Sequence, residues 1–232
     1  MMDFFFNSFK SALQLIWSLD QDLLVIISVS LRVSFFSTVI SSLAGVPLGL
    51  AIAMNEFRYK RFLITLLNTL LALPTVVIGL LVYSFLSRRG LLGQLGLLYT
   101  TKAMIIGQVI LIVPIITTLT LSAVSRIDGR YRKTAMTLGA NTLQTAFVIV
   151  REARFAILAS IITAFGRVIA EVGISMMLGG NAKGFTRTMT TAMALEFDKG
   201  EFTMSIALGV ILLLIAFAVN IVFHYFQGKA GE

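Results

Sequence analysis

Arg130-Tyr-Arg-Lys-Thr-Ala-Met-Thr-Leu-Gly-Ala-Asn141 is a polar island set between long apolar runs. Its pattern is that of a short helix with Gly139 as the stop, because glycine relaxes the left-handed turn at a helix C-terminus. Followed by the run 143–157, it reads as a docking element facing the cytosol and not as a catalytic site.

The runs on either side set the class. Of 232 residues, 57% are hydrophobic and 13% charged, which excludes an ordinary soluble domain. Five stretches, 28–54, 62–86, 103–124, 155–178 and 204–226, reach the roughly 20 residues a helix needs to cross a hydrocarbon core. They lack period-2 alternation and are too long for barrel strands. The expectation is an all-α membrane protein with about five transmembrane helices and one short cytoplasmic helix. Its single membrane domain covers 23–226, with the cytosolic loop at about 126–154. Residues 1–22 form an external or interfacial segment, and 227–232 a cytoplasmic tail.

The net charge is +8, yet the basic residues are not gathered on one amphipathic face, so nucleic acid is not the expected partner. They sit mainly in short connections, where the positive-inside rule gives them topological meaning. Arg58, Lys60, Arg61, Arg126, Arg130, Arg132, Lys133, Arg151, Arg154 and Lys229 fall on one side. Lys10, Arg32, Arg88, Arg89, Lys102, Lys183, Arg187 and Lys199 fall on the other, more thinly spread. The density of the 125–154 loop places the N-terminus outside and the C-terminus inside. There are no cysteines, which excludes disulfides and thiolate metal sites. Asp3 stands where a signal peptide carries basic residues, so no removable leader is read. Phe4, Phe5, Phe6, Phe9, Leu13 and Trp17 supply an apolar side for an interfacial helix.

Each of the three prolines, Pro47, Pro74 and Pro114, lies inside one of the first three spans. Proline removes a helical hydrogen bond, and such breaks survive in a membrane only where neighbours or a wet cavity satisfy the freed groups. Pro74 is the strongest candidate for a functional bend, with Thr75 and Gly79 beside it. Gly45 and Gly49 permit close helix packing, within the chain in preference to dimerisation. Outside, 87–96 is a glycine-rich turn whose leucines point back toward the membrane. The fourth span stops at Gly179-Gly180-Asn181. Beyond it a loop with Arg187, Thr188, Thr190 and Thr191 offers hydroxyls and cations that suit an anion or an acidic partner.

Arg167 and Glu171 lie within the fourth span, four residues apart and so on one helical face. Charges at such depth are costly and are usually paired, facing a bundle interior or a water-filled path. They are either a packing salt bridge or the lining of an anion route, with Gly173 just beyond. No Gly-x-x-x-x-Gly-Lys-[Ser/Thr] phosphate loop is present, and the single histidine, His224, sits at the inner end of the last span. Without a catalytic constellation or metal ligand set, an intramembrane enzyme is disfavoured. Energy for active transport must come from another chain or from an ion gradient.

Lys133-Thr134-Ala135-Met136-Thr137-Leu138-Gly139-Ala140, with Phe147 and Ile149 beyond, resembles the cytoplasmic "EAA" loop of permease subunits in ABC importers. Ala135, Gly139 and Ile149 occupy their places in that pattern. Lys133 and Thr134 stand where Glu and the first Ala are usual, and Arg151-Glu152 replaces Leu-Pro. The segments 73–80, 151–155, 166–173, 179–181 and 187–192 are similar to permeases of tungstate-type importers, within the molybdate, tungstate and sulfate group. The resemblance runs from about Leu23 to Phe226.

This resemblance implies a type I ABC importer permease fold in a bacterial or archaeal cytoplasmic membrane. It implies a second copy of the chain, with the translocation path between the two. Two ATPase subunits, which hold ATP and magnesium, would dock beneath the loops, and an external binding protein would deliver the oxyanion. This chain itself would carry no cofactor. Arg132, Lys133, Thr134, Ala135, Leu138, Gly139 and Ala140 would form the coupling element. Pro74, Thr75, Arg167, Glu171 and Gly173 would line the path or its gate, and Asn181, Arg187, Thr188, Thr190 and Thr191 the external loop. Tungstate is the expected cargo, with molybdate or sulfate as alternatives. An ion-gradient-driven anion transporter using Arg167 and Glu171 as a relay is the rival reading.

Overall fold

The computed structural model describes residues 2–18 and 20–228, with side chains from 9 to 221 apart from residue 19. Lys229, the end of the tail, and the side chains of Asp3, Phe4, Phe5, Phe6 and His224 lie outside the described residues. Among the described residues every regular element is helical. The order is α1 (Met2–Trp17), α2 (Gln21–Met54), α3 (Lys60–Leu71), α4 (Thr75–Leu86), a 3₁₀ turn (Gly93–Leu95) and α5 (Thr101–Ser125). There follow α6 (Gly129–Thr137), α7 (Thr142–Ile169), α8 (Gly173–Gly179), α9 (Met189–Asp198) and α10 (Phe202–Gly228).

By length and composition α2, α5 and the Phe202–Ile221 part of α10 are able to cross a membrane unaided. Two bent pairs supply the other spans. α3 and α4 meet at 98°, and α7 and α8 at 59°. The expected five spans are therefore present only if each bent pair counts as one. α2 has 34 residues, about 51 Å at 1.5 Å per residue, and so projects beyond a core about 30 Å thick.

α2 and α5 run parallel and form the spine, with Ser37 beside Gln108 and Gly49 beside Thr120 further along. Gly45 and Gly49 let them touch: a Cβ added at Gly49 would stand 2.6 Å from the Thr117 carbonyl and 2.8 Å from Thr120 Cβ. The small-residue pair thus serves packing within the chain. α7, α4 and α8 close around this spine over a core of Val33, Ile78, Met104, Ile112, Ala164, Ile174 and Leu178. α1 packs with α10 and α9 in a second cluster that includes Ala12, Leu23, Ile169, Met189 and Leu208. At the end of the bundle near α6, Met54, Val124, Ile149, Ala153 and Ile157 bind α2, α5 and α7 together.

Pro47 and Pro114 sit inside unbroken α2 and α5; only Pro74 marks a break, as the N-cap of α4. The expected fourth span, 155–178, differs more. α7 starts at Thr142, earlier than the apolar run does, because Asn141 and Gln144 form a capping box there. It then stops at Ile169, leaving Glu171 in the bend and not on a continuous helix as the four-residue spacing implied.

Candidate functional site

The two breaks adjoin. α4 and α8 start side by side and run parallel: a Cβ on Gly173 would lie 3.2 Å from Thr75 Oγ1 and 3.3 Å from Glu171 Oε1, and one on Gly79 would lie 2.8 Å from Met177 Sδ. Pro74 starts α4 without a side-chain cap, and Leu73 packs against the core beside it. Pro74, Thr75, Glu171 and Gly173, far apart in sequence, therefore share one level of the bundle.

The second break is held open by specific partners. Glu171 is 3% exposed; its Oε2 accepts from Arg167 Nη1 at 3.0 Å, and its Oε1 accepts from the Ile174 amide at 3.3 Å. The backbone carbonyl of Glu171, freed by the bend, accepts from Thr190 Oγ1 at 2.8 Å. A broken helix at membrane depth needs such substitutes. The Arg167 side chain remains 45% exposed, and among the described residues its hydrogen bond is to Glu171. A guanidinium at this depth does not face bare lipid without large cost, so this face is suited to a second protein surface or to water.

Sequence reasoning passed over a neighbouring polar seam. Gln108 on α5 is buried; its Oε1 accepts from Ser37 Oγ on α2 at 2.9 Å, and its Nε2 donates to Ser175 Oγ on α8 at 3.4 Å. An amide side chain in the middle of an apolar span was the available signal. The bonds tie the broken helix to the spine, and Ser30 Oγ extends the tie by accepting from the Met189 amide at 2.7 Å.

The hydroxyl-rich loop is a correction. Thr188, Thr190 and Thr191 are buried and do not offer an open anion surface. Thr188 and Thr191 form a capping box for α9, Thr190 serves Glu171, and the Asn181 side-chain amide donates to the Thr191 carbonyl at 3.3 Å. Arg187 is folded toward Glu196 at 3.8 Å. Hydroxyls beside a helix start are drawn to its orphan amides, and composition alone did not show that this loop contains a helix.

At the opposite end, α6 has the expected glycine stop. Gly139 has φ +84°, the Ala140 amide donates to the Ala135 carbonyl and the Gly139 amide to that of Met136, both at 3.0 Å, as in a Schellman cap. Asp128 caps the start, accepting from the Arg130 amide at 2.9 Å. Ala135 is the buried contact to the bundle, while Arg132, Lys133, Thr134 and Gly139 are exposed and Ala140 half-buried. Leu138 and Leu143 are each 82% exposed, with Phe147 at 70%. Tyr131 donates to the Glu152 carboxylate on α7, which raises its pKa. Arg132 also lines a cavity of about 210 Å³ with Met54 at the end of α2. α6 is thus an apolar-tipped element fastened to α7 and α2.

These features, two adjoining broken helices and an exposed helical loop at the far end, suit a membrane transport subunit. The sequence model described as "Binding-protein-dependent transport system inner membrane component" matches residues 45–231, and the chain belongs to that family of integral membrane proteins. It is 39% identical over 226 residues to the tungstate uptake system permease protein TupB of Peptoclostridium acidaminophilum, covering 97% of this chain and 99% of that one. It is 40% identical over 223 residues to TupB of Campylobacter jejuni, covering 96% and 93%. Among solved structures, a bacterial alginate ABC transporter in complex with an alginate-bound periplasmic protein aligns with TM-score 0.71 at 17% identity, covering 91% of this chain and 80% of that chain. The fold is that of an ABC transporter permease.

Proposed function

We propose that this chain is the permease subunit of an ATP-driven importer for tungstate. The near-full-length likeness to two tungstate uptake permeases carries this reading. Two copies enclose the path, with the exposed side of Arg167 turned toward it, and an external binding protein delivers the oxyanion. Two separate ATPase subunits dock against α6 and hold the ATP and magnesium. The N-terminus lies outside and the C-terminus inside.

In this mechanism closure of the ATPases moves α6, and the Ala135 contact, Tyr131–Glu152 and the Met54 cluster pass that motion to the inner ends of α7, α2 and α5. The bends at Pro74 and at 170–172 are where the outer halves change angle. Bundle rocking then exposes the path alternately to the two sides. Arg167, oriented by Glu171, presents a positive charge to a passing dianion without holding it tightly.

The test is to solubilise the tagged chain from its native membrane, purify it gently and identify what comes with it. Equal amounts of an ATPase bearing the Gly-x-x-x-x-Gly-Lys-[Ser/Thr] loop support the reading. A chain that purifies alone and transports without ATP overturns it in favour of an ion-gradient mechanism centred on Arg167 and Glu171.

A further inference from the structure

The turn after α4 has a construction that transport does not explain. Ser87 to Leu95 folds back on the end of its own helix: the Leu92 amide donates to the Phe85 carbonyl at 2.9 Å and the Gly90 amide to the Ser87 carbonyl at 2.7 Å. A Cβ at Gly90 would overlap the carbonyls of Ser84 and Phe85, and one at Gly93 would overlap that of Ser87. Only glycine fits either place, so the turn is set by the backbone. It presents Leu91 and Leu95, 85% and 62% exposed, beside the exposed Arg88 and Arg89.

Those two arginines lack compensation. Among the described residues neither takes part in an ion pair, and the chain has no Asp or Glu between Glu56 and Asp128. They stand at the end of the bundle opposite α6, where the positive-inside rule makes adjacent arginines unfavourable. Both line a cavity of about 610 Å³ together with Tyr83, Ser87, Gly93 and Tyr99. Tyr99 is held in place there: its amide donates to the Leu178 carbonyl at 2.8 Å, and a side-chain hydrogen bond with Tyr83 raises its pKa.

We propose that this turn is a binding site for an anionic phospholipid of the outer leaflet. The phosphodiester sits in the cavity against Arg88 and Arg89, and the acyl chains lie along Leu91 and Leu95. Guanidinium groups match phosphate oxygens in bidentate geometry, and juxtamembrane cations hold anionic headgroups. Aliphatic side chains next to cations at a boundary are the pattern of an interfacial anchor. A two-fold contact with another copy is disfavoured, because it would bring two uncompensated arginine pairs together. α4 carries the turn about 18 Å from the break at Thr75, away from the charges assigned to the path. The bound lipid also steadies the gate: Tyr83 belongs to α4, Tyr99 precedes α5 and Leu178 belongs to α8, so the cavity wall joins the outer ends of both bent pairs.

The assignment rests on the proposed orientation for the choice of leaflet and for the positive-inside argument, and its readout does not depend on the cargo. The test is native mass spectrometry of the complex purified from membranes, followed by titration with phosphatidylglycerol. The wild type is compared with Arg88→Gln/Arg89→Gln and with Leu91→Ser/Leu95→Ser. The expected result is a phosphatidylglycerol adduct on the wild type, bound about 25-fold more weakly by the arginine variant, at about fivefold per arginine. The leucine variant weakens the same adduct, and millimolar tungstate or inorganic phosphate fails to displace it. Equal lipid binding by all three proteins overturns the proposal. So does displacement by the free anions, which makes the cavity an oxyanion site, or unchanged lipid binding with weakened capture of the binding protein, which makes the turn a protein-docking surface.

Discussion

Gly139 and Gly129 stand near the two ends of α6 and predict opposite outcomes from the same kind of change. Gly139 has φ +84°, with nothing within 4 Å of an added Cβ. A substitution there is therefore strained by backbone conformation alone, without a clash. The left-handed region costs an L-residue about 1–2 kcal/mol, so Gly139→Ala raises the free energy of the Schellman cap by about 1 kcal/mol and Gly139→Val by more. α6 has nine residues, too few to persist without its caps and contacts. A cost near 1.4 kcal/mol lowers the population of the capped helix about tenfold. Gly129 also has open space around it and no positive φ, so Gly129→Ala stabilises the helix by about 0.4–1 kcal/mol through the unfolded state. The assay is tungstate taken up per ATP hydrolysed in proteoliposomes holding the complete transporter. The ratio falls severalfold in Gly139→Ala and further in Gly139→Val, with assembly intact, and stays at the wild-type value in Gly129→Ala. Normal coupling in Gly139→Val, or equal damage from Gly129→Ala, refutes the argument that the left-handed stop makes α6 a rigid coupling element.

Gly49→Ala forces a methyl against the Thr117 carbonyl 2.6 Å away, and backbone cannot yield cheaply, so the α2–α5 contact weakens by about 1–3 kcal/mol and thermal unfolding in detergent shifts downward. Gln108→Leu leaves Ser37 and Ser175 without their buried partner; a loss of about 1–3 kcal/mol is expected, read in the same melting experiment and accompanied by slower uptake. Glu171→Gln removes the charge that orients Arg167. Because Arg167 is 45% exposed, the cost is only about 1–2 kcal/mol, and the uptake that remains is still strictly ATP-dependent in a transport assay.

The rough positions of the spans were legible because hydrophobic length is a property of the sequence alone, and their number was legible only if each bent pair counts as one span. The α6 stop was legible for a similar reason, since Gly139 acts locally and its left-handed conformation is what glycine permits. The bends were less so. Pro47, Pro74 and Pro114 look alike as residues, but only Pro74 interrupts a helix; the difference lies in neighbours, since α8 and Thr75 meet there. The break at 170–172 has no proline at all. Glu171 draws on Arg167, Ile174 and Thr190, and the Thr190 partner lies on another element that hydropathy cannot place. The same distance in sequence hid the role of Gln108, whose two partners are on α2 and α8. The threonines of the 186–191 stretch misled for the converse reason: a hydroxyl that caps a buried helix has the same letter as one that faces water.

Uptake by proteoliposomes containing purified permease, its ATPase and its external binding protein tests the central claim most directly. Radiolabelled or mass-detected tungstate is supplied outside, and ATP is enclosed within. Accumulation that requires the binding protein, the enclosed ATP and an intact ATPase is the predicted result, with a proton or sodium gradient adding nothing. Accumulation driven by such a gradient in the absence of ATP would contradict the account.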